Sequence, residues 1–282
     1  MLEKTALKLF GDIVTPYLGY FDPLKTSLRK ANMDCTLQEY LSLMLLYSLM
    51  VFAATAIVSS ALITMLLMQT IYSYTLGIIL SMIAAGVTFF SGHYYPSMKT
   101  KGLESKINRS LPFAVSYMAT SASSGMRPID IFKVTAQRGG AVGVEANRIY
   151  NNVKSLGMSL TEAMQRTAIR SPSTQFSDLL WGMASVISSG GDIESYLRNR
   201  TRTFMSQYRR LLDEYAKQID FYTEIYITLV IVGSLFFIVL TAILSPMTGG
   251  NVLLLQTFLV FFFMPMVSIG FIVLLKGISP SE

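Results

Sequence analysis

Few residues in this 282-residue chain are equipped for chemistry. It holds one histidine, His93, and one cysteine, Cys35, and no Cys/His spacing that would hold a metal. The acids Asp213 and Glu214 are sequence neighbours, which a helix does not point into one site. The most suggestive stretch is VISSGGDIESYLRNRT, Val186 to Thr201, where two glycines precede an acid and a basic run. A phosphate loop, a catalytic turn and a helix-bundle corner all have this outline. A phosphate cradle needs G-x-x-x-x-G-K-[S/T], or G-x-G-x-x-G behind a strand. Neither occurs, and the chain contains no Gly-Lys pair. The corner reading remains: Gly190 and Gly191 end one helix, because glycine takes the left-handed conformation at a C-terminal cap. Asp192 then caps the next, where an acid satisfies orphan amides and suits the helix dipole.

The elements around this corner read as helices. Between Tyr94 and Tyr222 no strand alternation stands out. Asn108 to Ser124 reads as one helix with Pro112 near its first turn. Arg127-Pro128 restarts the chain, since proline suits the first helical position, and Gly139-Gly140 stops that helix after Arg138. A further helix spans about Val144 to Leu156 and ends at Gly157. Ser159 and Glu162 form an S-x-x-E capping box. Ser171-Pro172 opens the next helix, whose face is Phe176, Leu179, Leu180, Met183, Val186 and Ile187. After Asp192 a seam of Leu197, Phe204, Tyr208, Leu211, Tyr215, Ile219 and Tyr222 recurs at helical steps. No Gly or Pro interrupts it before the third span, so Asp192 to Leu244 can form one helix on the order of 80 Å long. Such a rod would carry movement between a bundle and a bilayer; a break near Phe221 would weaken that idea. Its basic residues Arg198, Arg200, Arg202, Arg209 and Arg210 are either a solvated flank or a dock for an acidic partner face.

The composition places these helices beside a membrane. The chain is 52% hydrophobic and only 14% charged, against about 25% charged in ordinary globular proteins. Leu41 to Met68, Ile71 to about Ser91, Ile225 to Leu244 and Val252 to Leu275 are nearly free of ionisable residues, and each reaches the ~20 residues that cross hydrocarbon. The loops that pair these spans, 69–70 and 245–251, contain no Lys or Arg. All 23 basic residues lie in 1–40, in 93–223 or at Lys276, so both termini and the central domain are expected to be cytoplasmic. The organisation that follows is a cytoplasmic basic segment (1–40), a transmembrane hairpin (41–92), a cytoplasmic helical bundle of about six helices (93–223), a second hairpin (224–276) and a cytoplasmic tail (277–282). The fold class is therefore all-α and polytopic, with four transmembrane helices in two hairpins.

The net charge of +6 reads as topology signal and contact with anionic lipid, and nucleic acid is not expected as a partner. No cleavable signal peptide is expected, because Glu3 and Asp12 interrupt the start and no apolar stretch follows within the first 30 residues. The lone Cys35 fits a reducing compartment. Ser73, Gly77, Ser81 and Ala85 make a strip of small residues that lets another helix approach closely, either within this chain or from a partner. Pro265 is a candidate kink in the last span.

Three stretches carry a resemblance. LKTSLRKANMDCTLQEYLSLMLL (24–46), LPFAVSYMATSASSGMRPIDIFKVTA (111–136) and GMSLTEAMQRTAIRSPSTQFSDLLWGMASVISSGGDIESYL (157–197) together resemble the type II secretion system F family. Its members are inner-membrane platform proteins of type II secretion, type IV pili, Tad pili and archaeal flagella. The layout is similar to the Tad-type and archaeal forms; larger members carry two such cytoplasmic domains, and this sequence shows one. The resemblance implies a non-enzymatic platform in the cell membrane that couples a cytoplasmic assembly ATPase to the extraction and assembly of pilin-like subunits. It implies pairing with itself or with a second F-family protein. It assigns Gly125, Gly157, Gly190 and Gly191 to structural turns; Gly77, Ser81 and Ala85 are candidates for helix packing by their spacing alone. Met126, Arg127 and Asp192 fall on the family's motif positions. They shape the domain and, with Arg198, Arg200 and Arg202, are candidates for partner contact.

Two other classes compete. A transporter subunit would need ionisable or unwound sites at mid-membrane, and the spans hold no Asp, Glu, Lys, Arg or His there; Glu224 and His93 lie at the edges. A four-span signalling protein would carry an effector motif, and none is found. No catalytic residue, cofactor or metal is expected.

Overall fold

The computed structural model describes residues 6–7, 9–11, 14–33, 35–67, 70–248, 257–258, 261–262 and 264–278. Among the described residues the protein is all-α, with no strand. The helices are α1 (Asp22–Lys30), α2 (Leu37–Leu67), α3 (Thr70–Ser123), α4 (Pro128–Gln137), α5 (Gly140–Leu156), α6 (Leu160–Arg170), α7 (Thr174–Ser188), α8 (Ile193–Tyr226), α9 (Gly233–Thr248) and α10 (Met264–Ile278). A short 3₁₀ turn, Thr15–Phe21, precedes α1, and a π-helical stretch, Ile227–Val232, joins α8 to α9. The chain forms two compact units, Met1–Thr201 and Arg202–Glu282.

In the first unit α2 and α3 pack side by side as a helical hairpin, and small residues let them touch. Ser59 Oγ donates to the Gly77 carbonyl at 3.3 Å, and a Cβ on Gly77 would come 3.3 Å from the Ser60 backbone. Ser81 is fully buried and Ala85 partly so. The side chain of Ser73 lies outside the described residues. Lower down, a Cβ on Gly92 would meet the Met44 side chain at 3.1 Å.

The sequence placed a helix start at Asn108, with Pro112 near the first turn, and the structure corrects this. Helix α3 runs unbroken for 54 residues, with Pro96 and Pro112 inside it. A proline inside a helix orphans the carbonyl four residues before it. At Pro96 that carbonyl belongs to Gly92, and the Tyr40 hydroxyl donates to it at 2.8 Å. At Pro112 the burial of Ile107, Leu111, Val115 and Met118 holds the helix, because tertiary packing overrides local propensity.

These α3 residues form one wall of the bundle. The core is completed by Ile131 and Phe132 of α4, Val142, Ala146 and Ile149 of α5, Met164 of α6, Phe176, Leu179, Leu180 and Met183 of α7, and Leu197 of α8. Close approach is again built in: a Cβ on Gly143 of α5 would sit 3.3 Å from the Thr135 carbonyl of α4. Pro128 opens α4, and Ser159 caps α6 by accepting from the Glu162 amide at 3.2 Å. The start of α7 differs from the expected Ser171-Pro172. Ser173 is the cap, accepting from the Phe176 amide at 3.1 Å. Its hydroxyl also bonds to Asn108 Oδ1 on α3, a tertiary contact with no local signature.

The N-terminal segment folds onto this unit. Val14, Leu24 and Leu28 are buried with Tyr40, Leu41 and Met44, and Phe21 and Phe89 pack against them. The turn after α1 is held from a distance. Glu145 of α5, 3% exposed, accepts from Asn32 Nδ2 at 3.2 Å and pairs with Arg148 at 2.9 Å, and Arg148 donates to Asn32 Oδ1 at 3.1 Å. Asn32 is the one non-glycine residue with positive φ among the described residues, at 53°.

In the second unit the helix has no break at Phe221; α8 passes through the π-helical stretch into α9. Tyr226 hydrogen-bonds Ser268 of α10 at 3.0 Å and stacks on Phe271 at 4.5 Å. An apolar cleft of about 390 Å³ lies between Leu229, Val230, Gly233, Phe237, Met264 and Val267. Pro265 is the second residue of α10.

Among the described residues three helices are long and apolar enough to cross a membrane: Leu37–Ile63, Thr75–Ser123 and Ile193–Ile243. Met264–Gly277 is a shorter apolar helix. The expected fourth span began at Val252, and much of 252–263 lies outside the described residues. Large side chains such as Ile57, Met82, Ile243 and Phe261 are more than two-thirds exposed, as suits helices whose solvent is lipid.

Candidate functional site

The turn residues singled out from the sequence converge on two corners. The first lies between α3 and α4. Gly125 has φ +71°, and its amide donates to the Ala122 carbonyl at 2.9 Å while the Met126 amide reaches Ser121 at 3.3 Å. This pair of bonds is the Schellman closure, and it needs a residue at ease in the left-handed region. The second corner lies between α7 and α8 and has the same construction. Gly190, at φ +69°, donates to Ile187 at 3.2 Å, and Gly191 donates to Val186 at 2.8 Å. Asp192 Oδ1 then accepts from the Glu194 amide at 2.9 Å and starts α8.

The two corners meet. Ser123, the last residue of α3, donates to Glu194 Oε1 at 2.9 Å. Arg198 pairs with that same Glu194 and reaches Ser123 Oγ at 3.3 Å. Gly125, Gly190, Gly191, Asp192 and Arg198 thus belong to one surface, built where the end of α3 touches the first turns of α8. Met126 is 41% exposed beside it. Arg127 is exposed and donates to Asp130 Oδ2 at 2.8 Å; that carboxylate raises the guanidinium further above its usual range. Gly157 lies elsewhere, closing α5 with a left-handed φ of +68°.

The arginines of α8 divide by partner. Arg198 is engaged by Glu194. Arg200 Nε donates to the Tyr196 hydroxyl at 3.2 Å, and its guanidinium lies 5.4 Å from that ring. Arg202, in the second unit, is exposed, and so are Arg209 and Arg210.

Sequence reasoning missed the residue that fixes the root of α8. The Tyr196 hydroxyl donates to the Leu179 carbonyl of α7 at 3.2 Å. It lies directly against Gly182: a Cβ there would overlap the hydroxyl and come within 2.6 Å of Cζ. A glycine in the middle of a helix costs about 1 kcal/mol relative to alanine, and the close approach of Tyr196 is its compensation here. The signal was a mid-helix glycine fourteen residues before a tyrosine, visible only once the corner folds the two helices together.

Among the described residues no group of three or more His, Cys, Asp or Glu side chains is close enough to share a metal ion. His93 sits between aromatic rings, 5.8 Å from Phe21 and 5.7 Å from Tyr94.

Residues 114–241 match the family described as Type II secretion system (T2SS), protein F. That span contains both corners and all of α8. Flagella accessory protein J of Methanocaldococcus jannaschii is 24% identical over 172 residues, which are 60% of this chain and 30% of that protein. The protein of the same name from Methanococcus voltae is 26% identical over 155 residues, 54% of this chain and 27% of that protein. The chain therefore matches less than a third of the length of either relative. No solved structure matches it.

Proposed function

We propose, on the match of residues 114–241 to the type II secretion system protein F family, that this membrane protein is the platform of a filament-assembly machine of the archaeal-flagellum or pilus type. In this reading it is not an enzyme. It receives movement from a cytoplasmic assembly ATPase and delivers it to the membrane, where pilin-like subunits are extracted and stacked. Residues 93–223 and both termini lie on the cytoplasmic side, as the distribution of Lys and Arg supports. The platform pairs with a second copy or with a second F-family protein.

One observation carries this reading: the helix that begins at the double corner continues, through a π-helical stretch, into a stretch apolar enough to cross a membrane. A load applied at Asp192–Arg198 is passed along hydrogen-bonded backbone instead of a loop. Proteins that only bind on the membrane surface have no need of such an element. The relatives' name, an accessory protein of flagella, supports the same class.

The test is co-purification of the full detergent-solubilised chain with the assembly-type ATPases of its host. The reading expects one of them to be retained. It expects retention to fall on changing Arg127 and Arg202 to Glu, two exposed cations whose loss leaves the bundle core untouched. A folded chain that retains no such ATPase, alone or with a second F-family protein, would remove the ATPase-coupled reading.

A further inference from the structure

The N-terminal segment builds a cleft that the platform reading does not use. Val14, Tyr17 and Phe21 on one side, and Leu41, Leu45 and Phe89 on the other, line an open apolar cleft of about 220 Å³. Leu41 and Leu45 stand at the start of the apolar run of α2, and Phe89 at the end of the apolar run of α3. Both helices are long enough to cross a membrane, so the cleft lies at the boundary where hydrocarbon meets headgroups. Tyr17 and Tyr20, 57% and 84% exposed, stand at its N-terminal side; tyrosine favours that boundary because one end is apolar and the other wet.

A group of cations lies beyond the cleft on α1 and α3, Lys99 and Lys101 being ten and twelve residues, about 15–18 Å, along α3 from Phe89. Lys25 and Arg29 are exposed on α1. The Thr100 hydroxyl of α3 shares its proton between the carbonyl of Pro96 at 2.8 Å and that of Ser27 on α1 at 3.1 Å. This contact brings Lys99 and Lys101, both exposed, alongside α1 although they lie some seventy residues away in sequence. None of these four cations is in the ion pairs formed among the described residues.

We propose that this is a binding site for an anionic phospholipid, one acyl chain entering the cleft and the phosphate lying against Lys25, Arg29, Lys99 and Lys101. Charge complementarity and position select this occupant. A zwitterionic lipid fills the cleft but brings no net charge to the cations. A soluble phosphate meets the cations but leaves apolar surface open at a depth where acyl chains are already present. The inference is independent of whether an ATPase binds the bundle.

The test is native mass spectrometry of the purified full chain after exposure to equal amounts of phosphatidylglycerol and phosphatidylcholine in neutral detergent. Phosphatidylglycerol should be retained in preference. Changing Lys25, Arg29, Lys99 and Lys101 together to Gln should lower that preference by about tenfold or more, since each basic residue near a lipid surface contributes severalfold to affinity. Val14→Phe, which fills the cleft and changes no charge, should lower retention of both lipids. Inorganic phosphate should not displace the bound lipid. Equal retention of the two lipids, a preference indifferent to the four substitutions, retention untouched by Val14→Phe, or displacement by inorganic phosphate would each overturn the proposal.

Discussion

Between Ile107 and Ala122, α3 buries Ile107, Leu111, Ala114, Val115, Met118 and Ala122. Over a comparable length from Arg202 to Asp220, α8 buries only Phe204. Both stretches continue helices that are apolar enough to enter a membrane, and they hold their shape by different means. Helix α3 is enforced by its neighbours strongly enough to keep two prolines in line. Helix α8, beyond its root, relies on its own backbone and on a sequence without Gly or Pro. The contrast separates an element that is part of the scaffold from one whose surface is left for use.

The largest effect should fall on the scaffold. Leu111→Ala removes a fully buried side chain and should cost about 3 kcal/mol, read by unfolding in mild detergent. Gly182→Ala should cost about 2 kcal/mol, because it displaces Tyr196 and breaks that hydroxyl's bonds to Leu179 and Arg200. Increased amide exchange should then appear at the start of α8 and leave α3 as before. Glu145→Ala should also cost about 2 kcal/mol, since it strips Asn32 and the partly exposed Arg148 of their acceptor; the proteolytic sensitivity of residues 14–33 should rise with it. Gly190→Ala places a Cβ at φ +69° and should cost about 1 kcal/mol, visible as a small drop in melting temperature. Leu211→Ala, at an exposed site on α8, should change stability by less than about 0.5 kcal/mol. A cost at Leu211 close to that at Leu111 would mean that α8 already has a partner, and the contrast would be lost.

What could be read in the sequence follows the same division. The corners are local devices, so glycine, proline and capping serine announced Pro128, Gly157, Ser159 and Gly190 from their neighbours alone; Gly125 came only from the family resemblance. The continuity of α3 was not legible. Pro112 has the same local meaning at a first turn as inside a helix, and burial of residues on both sides of it decides between them. Ser171 and Ser173 are equally good caps by type; Asn108, sixty-five residues earlier, bonds to the second. The junction of the two corners through Ser123, Glu194 and Arg198, the Tyr196–Gly182 contact and the Asn32–Glu145–Arg148 triad are all non-local. No spacing rule points to them. The apolar runs were readable because hydrocarbon imposes one requirement along the whole span.

The Asn32–Glu145 contact also sets an order of events during synthesis. Its partners are 113 residues apart, and the whole first hairpin lies between them. At about 5–20 residues per second, Glu145 leaves the ribosome roughly 6–23 s after Asn32. The N-terminal segment spends that interval with its turn unfastened, while α2 and α3 are being made. Closing the triad is therefore a late event that requires the N-terminal turn and α5 to be present together.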